Sequence, residues 1–151
     1  MRSGDLAPDF TLPDERGIDR TLSTLLAEGP VVLFFYPAAM TTGCTKEACH
    51  FRDLGAEFAA VRAQRVGISM DSVERQAQFS SQGRLDFPLL ADVHGEVARR
   101  YGVKRSLDFL KVKRVTFIIG PDRRIIEVVG SEMMMDVHAD RALAALANHA
   151  S

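Results

Sequence analysis

Six consecutive apolar residues, Val31-Val32-Leu33-Phe34-Phe35-Tyr36, stand between Gly29-Pro30 and Pro37. A run this short, with no polar alternation and with proline at each end, reads as a β-strand covered on both faces. Such a strand commits the chain to a sheet held between layers of helices. It is also the longest strongly apolar run, and it is far too short to cross a bilayer.

The other segments fit around that strand. Phe10-Thr11-Leu12 and the stretch from Ile18 to Leu22 predict short strands, punctuated by Pro8, Pro13 and Gly17. Ser23 is placed to N-cap a short helix through Ala27. After Pro37, a loop from Ala38 to Gly43 leads into a predicted helix from about Cys44 to Arg62. Its Ala48, Phe51, Leu54 or Gly55, Phe58 and Val61 recur at helical spacing and give one buried stripe. Val66 to Met70 predicts a second buried strand, and Asp71 with Glu74 predicts a capping box for the helix that follows. Phe87 to Leu90 predicts a short strand and Gly95 to Tyr101 a helix. Val115 to Ile119 and Ile125 to Val129 predict strands joined by the turn Gly120-Pro121-Asp122-Arg123. A last helix is expected from about Asp136 to Asn148, with Val137, Leu143 and Leu146 inward. Strand–helix alternation followed by an antiparallel hairpin implies a mixed sheet flanked by helices. The expected fold class is α/β, a thioredoxin-like mixed sheet with an N-terminal β-hairpin extension. At 151 residues the chain is expected to be a single domain over residues 1–151.

Charge narrows the function classes. Lys and Arg total 19 against 20 Asp and Glu, so the basic excess of a general nucleic-acid binder is missing. The opening Met1-Arg2-Ser3-Gly4-Asp5 leads into polar residues, without the apolar stretch of a signal peptide, so the expected location is cytoplasmic. There, thiols stay reduced unless they are working. The chain has two cysteines, Cys44 and Cys49, too few for a disulfide-stapled scaffold. They are open to three readings: buried bystanders, half of a metal site, or a redox pair. With His50 they form C-x4-C-H, which lacks the second ligand pair of a zinc site. Neither belongs to the C-x-x-C pair of a dithiol oxidoreductase.

The setting of Cys44 favours chemistry. It lies where a buried strand has ended and a helix begins, and the unpaired N–H groups and partial positive charge of a helix N-terminus favour a thiolate. A lowered pKa and raised reactivity are therefore expected for Cys44. Thr41 stands three residues earlier, with a hydroxyl that can address the sulfur or an oxygen bound there. Gly43 lets the backbone approach closely, and Pro37 fixes the start of the loop.

Pro37, Thr41 and Cys44 spell P-x-x-x-T-x-x-C, which resembles the motif of peroxiredoxins. Phe35-Tyr36-Pro37 and Gly43-Cys44-Thr45-Lys46-Glu47-Ala48-Cys49-x-Phe51-Arg52-Asp53 are similar to the bacterioferritin-comigratory, or PrxQ, subgroup. The similarity continues in Gly4-Asp5-x-Ala7-Pro8-Asp9-Phe10, Phe87-Pro88-Leu89-Leu90-x-Asp92 and Arg114-Val115-Thr116-Phe117-Ile118-Ile119, so it covers nearly the whole chain. The resemblance implies a thioredoxin fold and thiol-dependent reduction of hydrogen peroxide and organic hydroperoxides, without metal, haem or other cofactor. It implies that Cys44 is the peroxidatic cysteine, that Pro37, Thr41 and Arg114 complete the active site, and that Cys49 is the resolving cysteine. The implied partners are a hydroperoxide and thioredoxin or a related dithiol reductant, with no nucleic acid and no membrane. A monomer is expected, with a weak dimer as the alternative. Glu47 is expected to orient an arginine, because a thiolate needs no base. The rival class is a non-enzymatic binding module on the same fold.

The chain departs from the subgroup at Ala38-Ala39-Met40 and Thr42, which stand where charged residues and proline are frequent. The loop is more apolar as a result, and Met40 is expected to favour bulkier hydroperoxides at the pocket mouth. Residues 99–114 carry seven basic groups against Asp108, which reads as a solvated face or as a docking surface for an acidic partner. Met133-Met134-Met135 reads as packing, or as a hydrophobic substrate or dimer surface. His50, His94, His138 and His149 are scattered and receive no role.

Overall fold

The computed structural model describes residues 1–105, 111–131 and 134–150. Asp108 and Met133, singled out above, lie outside the described residues. The described elements run β1 (Thr11–Pro13), β2 (Asp19–Thr21), α1 (Leu22–Leu26), β3 (Val31–Phe35), α2 (Thr42–Asp53), α3 (Gly55–Ala60), β4 (Gln64–Ser69), α4 (Val73–Gly83), β5 (Leu89–Ala91), α5 (Glu96–Arg100), β6 (Val115–Ile119), β7 (Ile125–Gly130) and α6 (Val137–Ala150).

The apolar run does what its composition demands. β3 sits at the centre of a five-stranded sheet of order β5-β4-β3-β6-β7, parallel to β4 and antiparallel to β6. All five of its residues are buried. Val31, Leu33 and Phe35 point into one core with Leu22, Val97 and Tyr101. Val32, Phe34 and the following Tyr36 point into the other with Ala48, Phe51, Phe58, Phe79 and Leu146. Each large side chain so buried contributes about 1.5–3 kcal/mol, which is why no polar residue interrupts the run. β1 and β2 form the separate N-terminal hairpin, in register from Thr11–Thr21 to Pro13–Asp19. The α/β class, the mixed sheet and the hairpin extension are as expected.

Four local expectations need correction. The helix anticipated from Cys44 to Arg62 is two helices, interrupted at Leu54 (φ −94°, ψ 18°). Arg65 Nη1 donates to the Phe51 carbonyl at 2.9 Å, the group that the Gly55 N–H would take in an unbroken helix. The Ala48, Phe51, Phe58 face survives the break, so periodicity does not register it. Helix α4 is capped by Ser72, whose hydroxyl accepts from Arg75 N at 3.2 Å; Asp71 is turned inward instead. Helix α1 starts at Leu22 after Thr21, and Ser23 lies inside it. Its N–H donates to Asp9 Oδ1 at 2.9 Å, so the N-terminal arm satisfies the orphan donor that a cap would have taken. In α6, Leu146 is buried, but Val137 and Leu143 are only half-buried; His138, Ala139 and Ala142 form the rest of the inner face.

Asp14 organises the hairpin turn. Its fully buried carboxylate accepts from Arg16 N (2.9 Å), Ile18 N (3.0 Å) and Arg20 Nε (2.9 Å). Burial opposes the charge, but these donors outweigh it and hold the carboxyl below its ordinary value of 3.8. The contribution of Asp14 is therefore complete above that value and is lost as the pH falls from there through the lower folded value. Asp14→Asn is expected to cost about 1–3 kcal/mol at neutral pH. Denaturant melts at neutral pH and at about pH 2.5 check this: the gap to wild type should narrow in acid, and a constant gap would contradict the electrostatic account.

Candidate active site

The central strand delivers the site. Tyr36 N still donates to the Ile68 carbonyl at 3.1 Å, one pairing beyond β3. Pro37 has no N–H to continue the ladder, and the chain leaves the sheet. A buried polar network fixes the underside of the loop. Ala39 N donates to Asp71 Oδ2 at 2.7 Å, and Ser69 Oγ donates to the same oxygen at 2.6 Å. Gln76 Nε2 donates to Ser69 Oγ at 2.9 Å, and Tyr36 Oη donates to Gln76 Oε1 at 2.5 Å. With Ala39 so held, Met40 adopts φ 65°, the left-handed region that costs a residue with a Cβ about 1–2 kcal/mol.

Thr41 is the N-cap of α2 in extended conformation, but its hydroxyl donates to the Ala38 carbonyl at 2.9 Å and not to the helix. The first helical bond runs from Thr45 N to the Thr41 carbonyl at 2.9 Å. The N–H groups of Thr42, Gly43 and Cys44 therefore stand at the open end of α2, outside the helical ladder. Cys44 is in this first turn and is 1% exposed, packed in the aromatic core.

Arg114 arrives from the neighbouring strand. Phe35 pairs with Val115, so the residues just after β3 and just before β6 emerge at the same end of the sheet. The guanidinium bridges two acceptors: Nη2 donates to Cys44 Sγ at 3.1 Å and Nη1 donates to Glu47 Oε1 at 2.6 Å. Glu47 lies three residues after Cys44, hence on the same face of α2, and is fully buried. Burial works against the Arg114 charge, but Glu47 and then Cys44 outweigh it and hold the guanidinium above its already high range. A Cβ on Gly43 would lie 3.3 Å from both Arg114 Nη2 and Met135 Cε, so glycine avoids crowding the guanidinium that reaches the sulfur. Met40 packs at the edge of the same core.

The structure thus brings Gly43, Cys44, Glu47 and Arg114 together, with Pro37, Met40 and Thr41 in the loop that leads to them. Cys49 is on the same continuous helix; both thiols are free. Cys49 is half-buried and opens on a groove of about 370 Å³ with Lys46, His50, Asp53 and Asp136. His50 Nε2 lies 2.9 Å from Asp140 Oδ1. Of the basic stretch, Arg114 turns inward, while Arg99 and Arg100 donate to the carbonyls of His94 and Asp9. Sequence reasoning missed His138, which is fully buried with Nδ1 3.6 Å from Glu47 Oε2. The available signal was its place on the inner face of α6, which the reading assigned to Val137.

Residues 3–128 match the AhpC/TSA family. The chain belongs to that family and is a peroxiredoxin. Peroxiredoxin Bcp of Escherichia coli K12 is 34% identical over 155 residues, which covers 99% of this chain and 98% of that one. The crystal structure of peroxidoxin BcpB from Mycobacterium tuberculosis is 59% identical, with a TM-score of 0.95 over 98% of this chain and 97% of that chain. The bacterioferritin comigratory protein of Xanthomonas campestris is 31% identical, with a TM-score of 0.86 over 94% and 92%. The peroxiredoxin fold is thioredoxin-like, and the protein is a thiol peroxidase with a peroxide substrate and a reductant. That sets aside the non-enzymatic binding module. Among the described residues, no helix of this peroxiredoxin is long and apolar enough to cross a membrane.

Proposed function

We propose that this peroxiredoxin reduces hydrogen peroxide and organic hydroperoxides with Cys44 as nucleophile, Cys49 as resolving thiol and a thioredoxin-like dithiol protein as reductant. The observation that carries the reading is the Arg114 guanidinium shared between Cys44 Sγ and Glu47 Oε1.

The Cys44 thiolate attacks one peroxide oxygen. The S–O bond forms as the O–O bond breaks, and Cys44 becomes a sulfenic acid. The second oxygen leaves as hydroxide or alkoxide and takes a proton to give water or alcohol. Charge on both oxygens is met by Arg114 and by the free N–H groups of Gly43 and Cys44. Thr41, whose hydroxyl hydrogen is held by the Ala38 carbonyl, offers its oxygen to the peroxide O–H. Glu47 fixes the arginine, and Pro37 closes the loop over the sulfur. Cys49 then attacks the sulfenic sulfur, water leaves and a Cys44–Cys49 disulfide forms. Thiol–disulfide exchange with the dithiol partner restores both thiols. No step calls for a metal or other cofactor. We place the reaction in the cytoplasm, in a single-domain monomer.

Stopped-flow oxidation of Cys44 in a Cys49→Ser background tests the reading, with Cys44→Ser as the blank. Oxidation much faster than that of free cysteine is expected; a rate no faster than free cysteine overturns it. Met40 lends itself to a separate measurement. Met40→Asp is expected to shift the rate ratio towards hydrogen peroxide over an alkyl hydroperoxide by about fourfold, the worth of one buried methylene. An unchanged ratio removes Met40 from substrate selection.

A further inference from the structure

Four elements converge behind the Glu47 carboxylate. His138 is on α6, Glu47 on α2, Thr116 on β6, and Ser131 follows β7. His138, Glu47 and Thr116 are all fully buried. His138 Nε2 lies 2.9 Å from the Ser131 carbonyl oxygen, which only accepts, so Nε2 carries a hydrogen. Nδ1 faces Thr116 Oγ1 at 2.8 Å and Glu47 Oε2 at 3.6 Å. The two carboxylate oxygens thereby have different neighbours: Oε1 has Arg114 and Oε2 has the imidazole.

We infer that His138 is a positioning residue of the peroxidase site, acting through Nδ1 to hold Glu47, and through Glu47 to hold Arg114, against the sulfur of Cys44. The inference rests on the reading of Cys44 as the nucleophile. A guanidinium that bridges sulfur and carboxylate is only as fixed as the carboxylate, and turning Glu47 would draw Nη1 with it and tilt Nη2 away from Sγ. In the neutral imidazole, Thr116 donates to Nδ1; in the imidazolium, Nδ1 donates to Thr116 and Glu47 attracts the charge. Both states keep the ring in place through Thr116 and Ser131, but only the imidazolium draws Oε2 towards Nδ1. The Nε2 contact to Ser131 orients the ring from its far end, as a partner to the second nitrogen fixes a metal-binding histidine.

A purely structural histidine would instead tie the segment after β7 to α6 through Nε2. Two substitutions separate these roles. His138→Asn puts a polar atom near the place of Nδ1 but falls short of Ser131. His138→Gln reaches the place of Nε2 but has no polar atom at that of Nδ1. In the Cys49→Ser background, three quantities are read: the stopped-flow rate with hydrogen peroxide, the thiolate absorbance at 240 nm, and the rate of alkylation by iodoacetamide. His138→Gln is expected to slow peroxide reduction by about tenfold, the scale of a sub-ångström misplacement of a reacting group. His138→Asn is expected to stay within about threefold of the parent. Thiolate absorbance and alkylation should fall in the Gln variant more than in the Asn variant.

A parental rate in folded His138→Gln overturns the inference, and so does a His138→Asn variant slowed as much as the Gln one. If His138→Gln does not fold, the Asn variant decides: a rate within threefold supports the role, and a tenfold loss refutes it. A parent no faster with peroxide than free cysteine would refute the assignment of Cys44 instead. The absorbance and alkylation comparison, which needs no peroxidase activity, would still judge His138.

Discussion

Arg114→Lys is expected to slow the reaction of Cys44 with hydrogen peroxide by about 10²–10³-fold in a protein that still folds. The substitution keeps a cation beside buried Glu47 and so avoids an uncompensated charge, which would be far more destructive. What it removes is the fork. Nη1 and Nη2 serve Glu47 Oε1 and Cys44 Sγ at once, at 2.6 and 3.1 Å, from one rigid plane. An ammonium is a point charge on a flexible stem and cannot hold both partners in that geometry. If lysine stays with Glu47, the sulfur and the departing oxygen lose their fixed donor. Stopped-flow kinetics give the effect, and alkylation by iodoacetamide apportions it. Alkylation needs the thiolate but involves no O–O cleavage, so it should fall less than the peroxide rate. Equal losses would limit Arg114 to keeping the sulfur anionic, and an undiminished peroxide rate would remove it from the chemistry.

Cys49→Ser is expected to leave the first peroxide turnover intact and to lower steady-state turnover with a thioredoxin-like dithiol by about tenfold or more. The reason lies in α2, which is continuous from Thr42 to Asp53 with both thiols free. Five helical residues rise ~7.5 Å and turn about 140°. The two Cα atoms are then roughly 8–9 Å apart, beyond the ~7 Å limit for a disulfide. The bridge therefore requires the opening turns of α2 to unwind, which takes Cys44 out of the core and away from Arg114. Hydrogen exchange should quicken over residues 42–50 on oxidation of the wild type, and the Cys49→Ser variant should lack that change. The variant should also accumulate sulfinic acid at Cys44, visible by mass. Full turnover with the dithiol as sole reductant would show that Cys49 does not resolve.

The parts of this molecule that were legible in the sequence are those written in consecutive or regularly spaced residues. The run from Val31 to Tyr36 declares its burial on both faces because nothing polar interrupts it. Cys44 at a helix start and Glu47 one turn later are also local facts. Arg114 was legible only through family resemblance, since its approach to Cys44 depends on the β3–β6 register. The break at Leu54 was not legible because the side chain that takes the freed Phe51 carbonyl, Arg65, comes from β4. Asp71 and Glu74 satisfy the sequence pattern of a capping box, yet Ser72 caps the helix because the Asp71 carboxylate meets Ala39 N across the fold. His138 escaped for the same reason. Its partners Glu47, Thr116 and Ser131 come from separate parts of the chain, and no periodicity connects them.

The interruption at Leu54 also sets a limit on how far damage can spread. Phe51 is stacked on Phe34 at 4.3 Å and on Phe58 at 5.8 Å, and Arg65 grips its carbonyl. Helix α2 is thus clamped at its far end and open at its near end, with a separate short helix beyond the clamp. Any unwinding that the proposed disulfide requires from Thr42 would meet these aromatic contacts before α3. Under the proposed resolution by Cys49, the part of α2 ahead of that clamp is the segment that opens and closes, giving up the buried contacts of Cys44, Glu47 and Ala48 each time. In that proposed cycle the segment acts as a fuse: it gives way at each disulfide, while the sheet that carries it keeps its shape.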